Sequence, residues 1–218
     1  MTEPVPVSAT TKWTRVRSLA RIGRGLANRG LANGAARAYA IAGLVAAAAM
    51  VVSLASAPGT IGLLGAGLAL VMLTIALVDW RSFIIPDGLN LAALALAIMH
   101  AAAQVPEAMP WAIAMAIVRG AMLALMFLAI RHGYARMRGR EGLGLGDVKL
   151  AFVAGAWLDW LIIPIAIELA ALAALAVYVL RRRVLGYALS RTSRMPFGAF
   201  LAPAIWLGWM LETRWLVF

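Results

Sequence analysis

The sequence predicts an all-α fold, a polytopic bundle of about six to seven transmembrane helices. Hydrophobic residues make up 64% of the 218 positions and charged residues only 13%, a composition well outside the range of water-soluble domains. Apolar runs recur along the chain, and several have close to the roughly 20 residues that a helix needs to cross the hydrocarbon core of a bilayer. Nearly all Lys and Arg residues fall between these runs.

Five apolar runs have the length of a single membrane-crossing helix: residues 38–57, 61–78, 89–105, 111–130 and 197–211. A sixth apolar region, residues 147–180, is too long for one crossing, because its 34 residues would extend about 50 Å as a helix. Asp159 lies near its middle and Pro164 follows, so we expect two helices joined by a tight turn at 158–161. The total is seven spans.

The positions of the basic residues predict the orientation. Eighteen of the 20 Lys and Arg residues lie on one side of the membrane if the seven spans alternate: residues 1–38, Arg81, residues 131–149 and residues 181–195. The positive-inside rule puts that side in the cytoplasm, together with the amino terminus. We therefore expect a basic cytoplasmic tail at residues 1–37 and a transmembrane domain at 38–218. The net charge of +11 reflects this topology and does not indicate a nucleic-acid partner.

Two aspartates stand where an apolar run meets a polar loop. Asp79 ends the second run and Asp147 opens the region 147–180, in a chain with only nine Asp and Glu residues. Ionisable groups at such depth are candidates for function, and two neighbouring carboxylates can perform acid–base catalysis. The residues alone also allow a structural role: Asp79 as a helix-end anion paired with Arg81, and Asp147 as a helix N-cap.

Three glycines alternate ahead of Asp147, at Gly142, Gly144 and Gly146. Glycines leave a strip of backbone without side chains, so an extended peptide or a second helix can approach it closely. We regard these glycines and Lys149 as candidate substrate-binding residues. A side chain that extends toward the membrane surface is an equally good interpretation of Lys149.

Other polar residues in apolar surroundings have structural interpretations. Asp87 belongs to an Ile-Pro-Asp-Gly sequence typical of a turn. Arg119 lies near the middle of the fourth span and must face the bundle interior, water or a partner, and Glu168 in the sixth span is the only acid at comparable depth. His100 and His132 lack metal-ligand spacing.

The sequence also bears on cofactors and on the last span. The chain has no cysteine, which excludes disulfides and Cys-ligated metal sites, and no metal site is expected. The last span opens with Met-Pro-Phe-Gly-Ala at 195–199. Its small residues favour close helix packing.

At these residues the chain resembles the type IV prepilin peptidase family, the GxGD-type membrane aspartic proteases. The resemblance spans about residues 61–210 and rests on three motifs in the same order as in the family. They are Asp79 followed by Pro86 and Asp87, Gly-Leu-Gly-Asp-Val-Lys at 144–149, and Pro-Phe-Gly-Ala-Phe-Leu-Ala at 196–202. One departure is Ala199, where the family commonly has proline, and we expect it to have little effect.

The resemblance implies a membrane aspartic endopeptidase with Asp79 and Asp147 as its catalytic pair. One carboxylate would be the general base for water, and the other would be protonated and polarise the scissile carbonyl. The implied substrate is a prepilin or pseudopilin with a basic leader, cut after a glycine just before a hydrophobic helix. The implied location is the cytoplasmic face of the bacterial inner membrane.

The same resemblance favours a short, peptidase-only form. Full-length family members often carry a cytoplasmic domain with paired Cys motifs and also methylate the new amino terminus. This chain has no cysteine, and its loop between the second and third spans has only about ten residues. Methyl transfer is therefore not expected, and no S-adenosylmethionine or other cofactor is implied.

Two functions from other classes stay open on the residues alone. A small ion- or proton-coupled transporter could use Asp79, Asp147 and Arg119 as relays. A non-enzymatic membrane subunit of a secretion system would not depend on the two aspartates. Relay groups are expected near the membrane midplane, whereas both aspartates are expected at one face.

Overall fold

The computed structural model describes residues 36–139, 142–183 and 196–215, and the regular secondary structure in these ranges is helical. Seven α-helices are described: α1 Ala36–Ser56, α2 Gly59–Ser82, α3 Asp87–Gln104, α4 Met109–Arg138, α5 Leu145–Trp157, α6 Ile162–Arg183 and α7 Gly198–Trp215. A short 3₁₀ turn, Pro106–Ala108, precedes α4. The predicted all-α fold is confirmed. The predicted tail at 1–37 lies outside the described residues except for its last two positions.

Four of these helices are long and apolar enough to cross a membrane: α1, α2, α4 with its preceding 3₁₀ turn, and α6. The chain is therefore a multi-pass membrane protein. The helices α3, α5 and α7 have 18, 13 and 18 residues and do not reach the same combination of length and hydropathy. For these three helices, membrane crossing stays a prediction.

The tight turn that the sequence predicts at residues 158–161 is confirmed. Helix α5 ends at Trp157 and α6 begins at Ile162. The N–H of Ile162 donates to the carbonyl of Asp159 at 3.0 Å, which closes the turn. Pro164 then lies in the first turn of α6, where its missing N–H costs no helical hydrogen bond.

The expected pairing of Arg119 with Glu168 is wrong. The guanidinium Nη1 of Arg119 lies 3.8 Å from the carboxylate of Asp159, and its Nε donates to the carbonyl of Gly155 at 3.2 Å. The backbone N–H of Asp159 in turn donates to Glu212 at 3.2 Å. Arg119 therefore ties α4 to the turn between α5 and α6. The sequence did not reveal this partner because the turn folds Asp159 back toward α4.

The core is formed within residues 46–218, while residues 36–45, the start of α1, form a separate unit. In the core, α5 packs against α3, α4 and α7, and α7 also packs against α2 and α6. His100 of α3 is 1% exposed, stacks on Trp157 of α5 with ring centroids 4.6 Å apart and faces Nε1 of Trp209 of α7 at 3.2 Å. His100 is thus a core residue, as its sequence context indicates.

Helices α4 and α5 approach each other closely at a pair of glycines. A Cβ placed on Gly155 would lie 2.5 Å from the carbonyl oxygen of Arg119, and one on Gly120 would lie 2.7 Å from the carbonyl oxygen of Phe152. Both obstacles are backbone atoms, which cannot rotate away. The close approach of the two helices therefore depends on glycine at these two positions.

We expect Gly155→Ala to lower the free energy of unfolding by about 1–3 kcal/mol, the usual cost of forcing an extra methyl group into a packed core. Thermal unfolding in detergent measures this loss. Gly133→Ala in α4 is the matched control, because nothing lies within 4 Å of a Cβ at that position. Equal stability of the two variants would contradict close packing of α4 on α5.

Candidate active site

Asp79 lies in the last turn of α2 and points into the protein. Its side chain is buried, with 4% of the residue exposed, and its Oδ2 accepts the backbone N–H of Ala199 at 2.8 Å. The helix ends at Ser82, and its C-cap residue Phe83 has a left-handed conformation (φ 55°) and donates its N–H to the carbonyl of Asp79. Asp79 is thus fixed at both its backbone and its carboxylate.

Asp147 is the third residue of α5. The N-cap of α5 is Gly144, and the N–H of Gly144 donates to Oδ2 of Asp147 at 3.2 Å. The interpretation of Asp147 as an N-cap is therefore wrong, because the N-cap of α5 lies three residues earlier. From the first turn of α5 the carboxylate of Asp147 accepts the N–H of the N-cap residue Gly144 and also reaches the start of α7.

The two carboxylates meet at Gly198, the first residue of α7. A Cβ on Gly198 would lie 2.9 Å from Oδ2 of Asp79 and 3.2 Å from Oδ1 of Asp147. Since both oxygens lie this close to one point, they are at most about 6 Å apart. The structure therefore brings together the two aspartates that the sequence singles out, and glycine leaves room for both.

The amino terminus of α7 supplies hydrogen-bond donors to this pair. The N–H of Ala199 donates to Asp79, and the N–H of Gly198 interacts with the carboxylate of Asp147. Free N–H groups and the positive end of the helix dipole favour negative charge at such a position. This end of α7 can therefore hold an ionised carboxylate beside a protonated one.

Asp147 lies outside the four membrane-crossing helices, and burial raises its pKa from 3.8 to about 6. The N–H groups of Gly144 and Gly198 oppose this rise in pKa, and the nearby charge of Asp79 adds to it. A carboxyl group with this pKa keeps its proton at a pH where an ordinary aspartate is ionised. Because the two carboxylates lie close together, they can also share one proton.

The raised pKa of Asp147 predicts a pH-dependent loss of stability. Between pH 3.8 and about 6 the folded chain binds more protons at this site than the unfolded chain, so the free energy of unfolding falls as the pH rises. We expect the stability of Asp147→Asn relative to the wild type to increase over this interval and then level off. Thermal unfolding in detergent from pH 4 to 8 measures the difference, and a difference independent of pH would contradict the assignment.

Three residues of the site were not identified as functional from the sequence. Ile85, which is 7% exposed, packs against the positions of both Gly146 and Gly198 and so joins the loop after α2 to the starts of α5 and α7. Gly198 and Ala199 provide the space and the N–H groups described above. The sequence did contain one sign of this site: Gly198 directly follows Pro-Phe at the start of the last span. From the residues alone, this small-residue segment was interpreted as a surface for helix packing.

The candidate substrate-binding glycines have neighbours within the chain. A Cβ on Gly142 would meet the ring of Tyr134 at 2.5 Å, and a Cβ on Gly146 would meet Ile85 at 3.2 Å. Gly144 caps α5 through Asp147. These contacts explain the glycines structurally, and their role in substrate binding stays a prediction.

Lys149 forms an ion pair with Asp87 across the starts of α5 and α3, with Nζ 2.6 Å from Oδ1. Both side chains are more than half exposed, so the pair adds little to stability. Asp87 itself is the first residue of α3, after the N-cap Pro86. It therefore starts the third helix, as its turn sequence predicts.

Comparison with known proteins is consistent with this site. The model of the type IV leader peptidase family matches residues 66–179, which include both aspartates. A prepilin leader peptidase/N-methyltransferase from Dickeya chrysanthemi is 31% identical over 156 residues, covering 71% of this chain and 53% of that protein. The leader peptidase HopD from Escherichia coli is 40% identical over 84 residues, covering 38% of this chain and 54% of that protein.

A third relative, a prepilin leader peptidase/N-methyltransferase from Aeromonas hydrophila, is 27% identical over 184 residues, covering 79% of this chain and 58% of that protein. The chain thus spans about half the length of these curated relatives. No solved structure matches at a significant level. Because the family model covers more than half of the sequence, the chain belongs to the type IV leader peptidase family.

Proposed function

We propose that this protein is a membrane-embedded aspartic endopeptidase that removes the leader of prepilin or pseudopilin-like proteins. It cuts after a glycine at the cytoplasmic membrane face, with Asp79 and Asp147 as the catalytic pair. The observation that carries the proposal is the convergence of the two carboxylates on Gly198. Membership of the leader peptidase family and the names of the relatives support the reaction and the substrate class.

In the proposed mechanism the pair shares one proton. The ionised carboxylate takes a proton from water, and the water oxygen attacks the carbonyl carbon of the scissile peptide bond. The protonated carboxyl group donates its proton to the carbonyl oxygen. When the C–N bond breaks, the protonated carboxyl group gives its proton to the departing amine, and the ionised carboxylate takes the proton from a hydroxyl group of the tetrahedral intermediate. The pair thereby returns to one shared proton.

The proposed location of the reaction follows from charge. The segments assigned to the cytoplasm contain 18 of the 20 basic residues, and the positive-inside rule supports this assignment. Asp79 lies three residues before the end of α2 and Asp147 at the third residue of α5. Both are thus at helix ends, unlike the midplane relay groups of a transporter.

Cleavage of a defined substrate tests this function. The substrate carries a basic leader, a glycine and an apolar helix, and is placed with the purified wild-type protein in lipid vesicles. We expect mass spectrometry to show one cut after the glycine and no cut when that glycine is replaced by leucine. An intact substrate, or cleavage that ignores this replacement, would overturn the proposal.

A further inference from the structure

An open groove of about 540 Å³ lies between α3 and α5. Its lining is almost wholly apolar, and the side chains of the described residues leave it unfilled. The apolar residues that line it are Leu91 and Leu94 of α3, Ala124 of α4, and Val148, Phe152 and Val153 of α5. Neither catalytic aspartate belongs to the lining, so the groove is a feature distinct from the candidate active site.

One end of the groove lies at the depth of lipid acyl chains. Ala124 is 15 residues after the start of α4 and 14 residues before its end, and α4 is one of the helices long and apolar enough to cross a membrane. This end of the groove is therefore near the middle of a membrane-crossing helix, at the level of the hydrocarbon core. Leu91 at the edge of the groove is 68% exposed. The groove thus opens sideways toward the bilayer.

Lys149 and Asp87 form the other end of the groove. Both belong to its lining, and because that lining is apolar, they contribute mainly carbon atoms to it. Their charged ends lie at the rim, with Nζ 2.6 Å from Oδ1 and both side chains more than half exposed. Leu94 follows Asp87 by seven residues, which is about 10 Å along helix α3. The groove therefore leads from a paired positive and negative charge to an apolar interior within about two helical turns.

The paired charges select the class of headgroup. Lys149 has three N–H donors and gives one to Oδ1 of Asp87, so two donors are left for a phosphate oxygen. The second oxygen of Asp87 can accept an N–H from a primary ammonium group, as in phosphatidylethanolamine. The quaternary nitrogen of phosphatidylcholine has no N–H, and the negative headgroup of phosphatidylglycerol is repelled by Asp87. Because an exposed ion pair is weak, the two charges can bind such a headgroup at little cost.

We propose that the groove between α3 and α5 binds a phospholipid with a primary ammonium headgroup, of the phosphatidylethanolamine class. The phosphate contacts Nζ of Lys149, the ammonium contacts the carboxylate of Asp87, and one acyl chain follows the apolar lining toward Phe152. This inference rests on the membrane-crossing character of the chain and does not depend on the proposed peptidase function.

Photolabelling tests the site with the lipid itself. The purified wild-type protein is placed in phosphatidylcholine nanodiscs that contain a small fraction of phosphatidylethanolamine, phosphatidylcholine or phosphatidylglycerol, each with the same diazirine-bearing acyl chain. We expect mass spectrometry to find phosphatidylethanolamine on Leu94 and Phe152 about 5- to 10-fold more often than either other lipid, the scale of one charge-assisted hydrogen bond. Leu63 of α2, which is 64% exposed, reports the surrounding bilayer and should show no headgroup preference.

Two variants test the headgroup and the acyl chain separately. Asp87→Asn removes the charge that binds the ammonium, and we expect the preference for phosphatidylethanolamine over phosphatidylcholine at Phe152 to disappear. Leu94→Trp fills the groove with a larger side chain and should abolish labelling of Phe152. Leu70→Trp is its matched control, since Leu70 lies in α2 and is 48% exposed, and should be labelled as the wild type is. Thermal unfolding in detergent verifies folding, and Asp87→Asn at its exposed position decides alone if Leu94→Trp does not fold.

The outcomes distinguish this lipid from other occupants. Equal labelling of Leu94 and Phe152 by the three lipids, or a preference for phosphatidylethanolamine that persists in Asp87→Asn, would overturn the inference. Protection of these residues from labelling by the leader substrate would assign the groove to the substrate. A disulfide-linked dimer of Leu91→Cys, whose cysteine is the only thiol in the chain, would assign the groove to a second copy. Either of these two results would also overturn the inference, and none of them depends on cleavage.

Discussion

Asp79→Asn and Asp147→Asn are each expected to lower leader cleavage by at least about 1,000-fold, in the upper range for loss of a general acid or base. An amide keeps the size of the side chain and can still accept the N–H groups of Ala199 and Gly144. The fold should therefore persist, while the group can neither take a proton from water nor return one. Initial rates with the leader substrate in vesicles measure the effect.

Glu107→Gln is the control for this pair of variants. It makes the same change from carboxylate to amide, at an exposed residue of the 3₁₀ turn before α4. We expect wild-type cleavage. If Asp79→Asn or Asp147→Asn cleaves at a rate within about 10-fold of the wild type, that residue is not a general acid or base of the reaction.

Gly198→Ala is expected to lower cleavage by about 100-fold, the scale of a 1 Å displacement of catalytic groups. The new methyl group would lie 2.9 Å from Asp79 and 3.2 Å from Asp147 and would meet Ile85 at 2.5 Å. These are ends of side chains, which can move aside. The chain should therefore still fold, but with its two carboxylates displaced from each other and from the N–H groups of α7.

The control for Gly198→Ala is Gly133→Ala, which makes the same substitution where a Cβ meets nothing within 4 Å. Cleavage rates and thermal unfolding are measured for both variants. We expect a large loss of rate with a small loss of stability for Gly198→Ala only. Equal cleavage by the two variants would show that the close approach at Gly198 has no part in catalysis.

The helix pattern was largely predictable because it depends on local properties of the chain. Apolar runs and breaks predicted the seven helices of the described residues, and Asp159 with Pro164 placed the turn at residues 158–161. The ends differ by a few residues, as at α2, which continues to Ser82 instead of residue 78. Asp79 therefore lies within the last helical turn, where its carbonyl caps the helix.

The arrangement of the site was less predictable because it depends on contacts between distant parts of the chain. Asp79 and Asp147 could be identified from the sequence, because a charged residue is unfavourable next to an apolar run. Their meeting point is at the start of α7, more than 50 residues beyond Asp147. A sequence gives no direct sign that the N–H groups of Gly198 and Ala199 serve these carboxylates. The partner of Arg119 was missed for the same reason.

The central claim is that Asp79 and Asp147 act as a single catalytic unit. Residues that act as a unit give strongly non-additive losses. The decisive measurement is the rate of leader cleavage by the wild type, Asp79→Asn, Asp147→Asn and the double variant, under one condition and with one substrate. We expect both single variants and the double variant to fall to the same low rate. Independent losses that multiply in the double variant, or ready cleavage by either single variant, would contradict the claim.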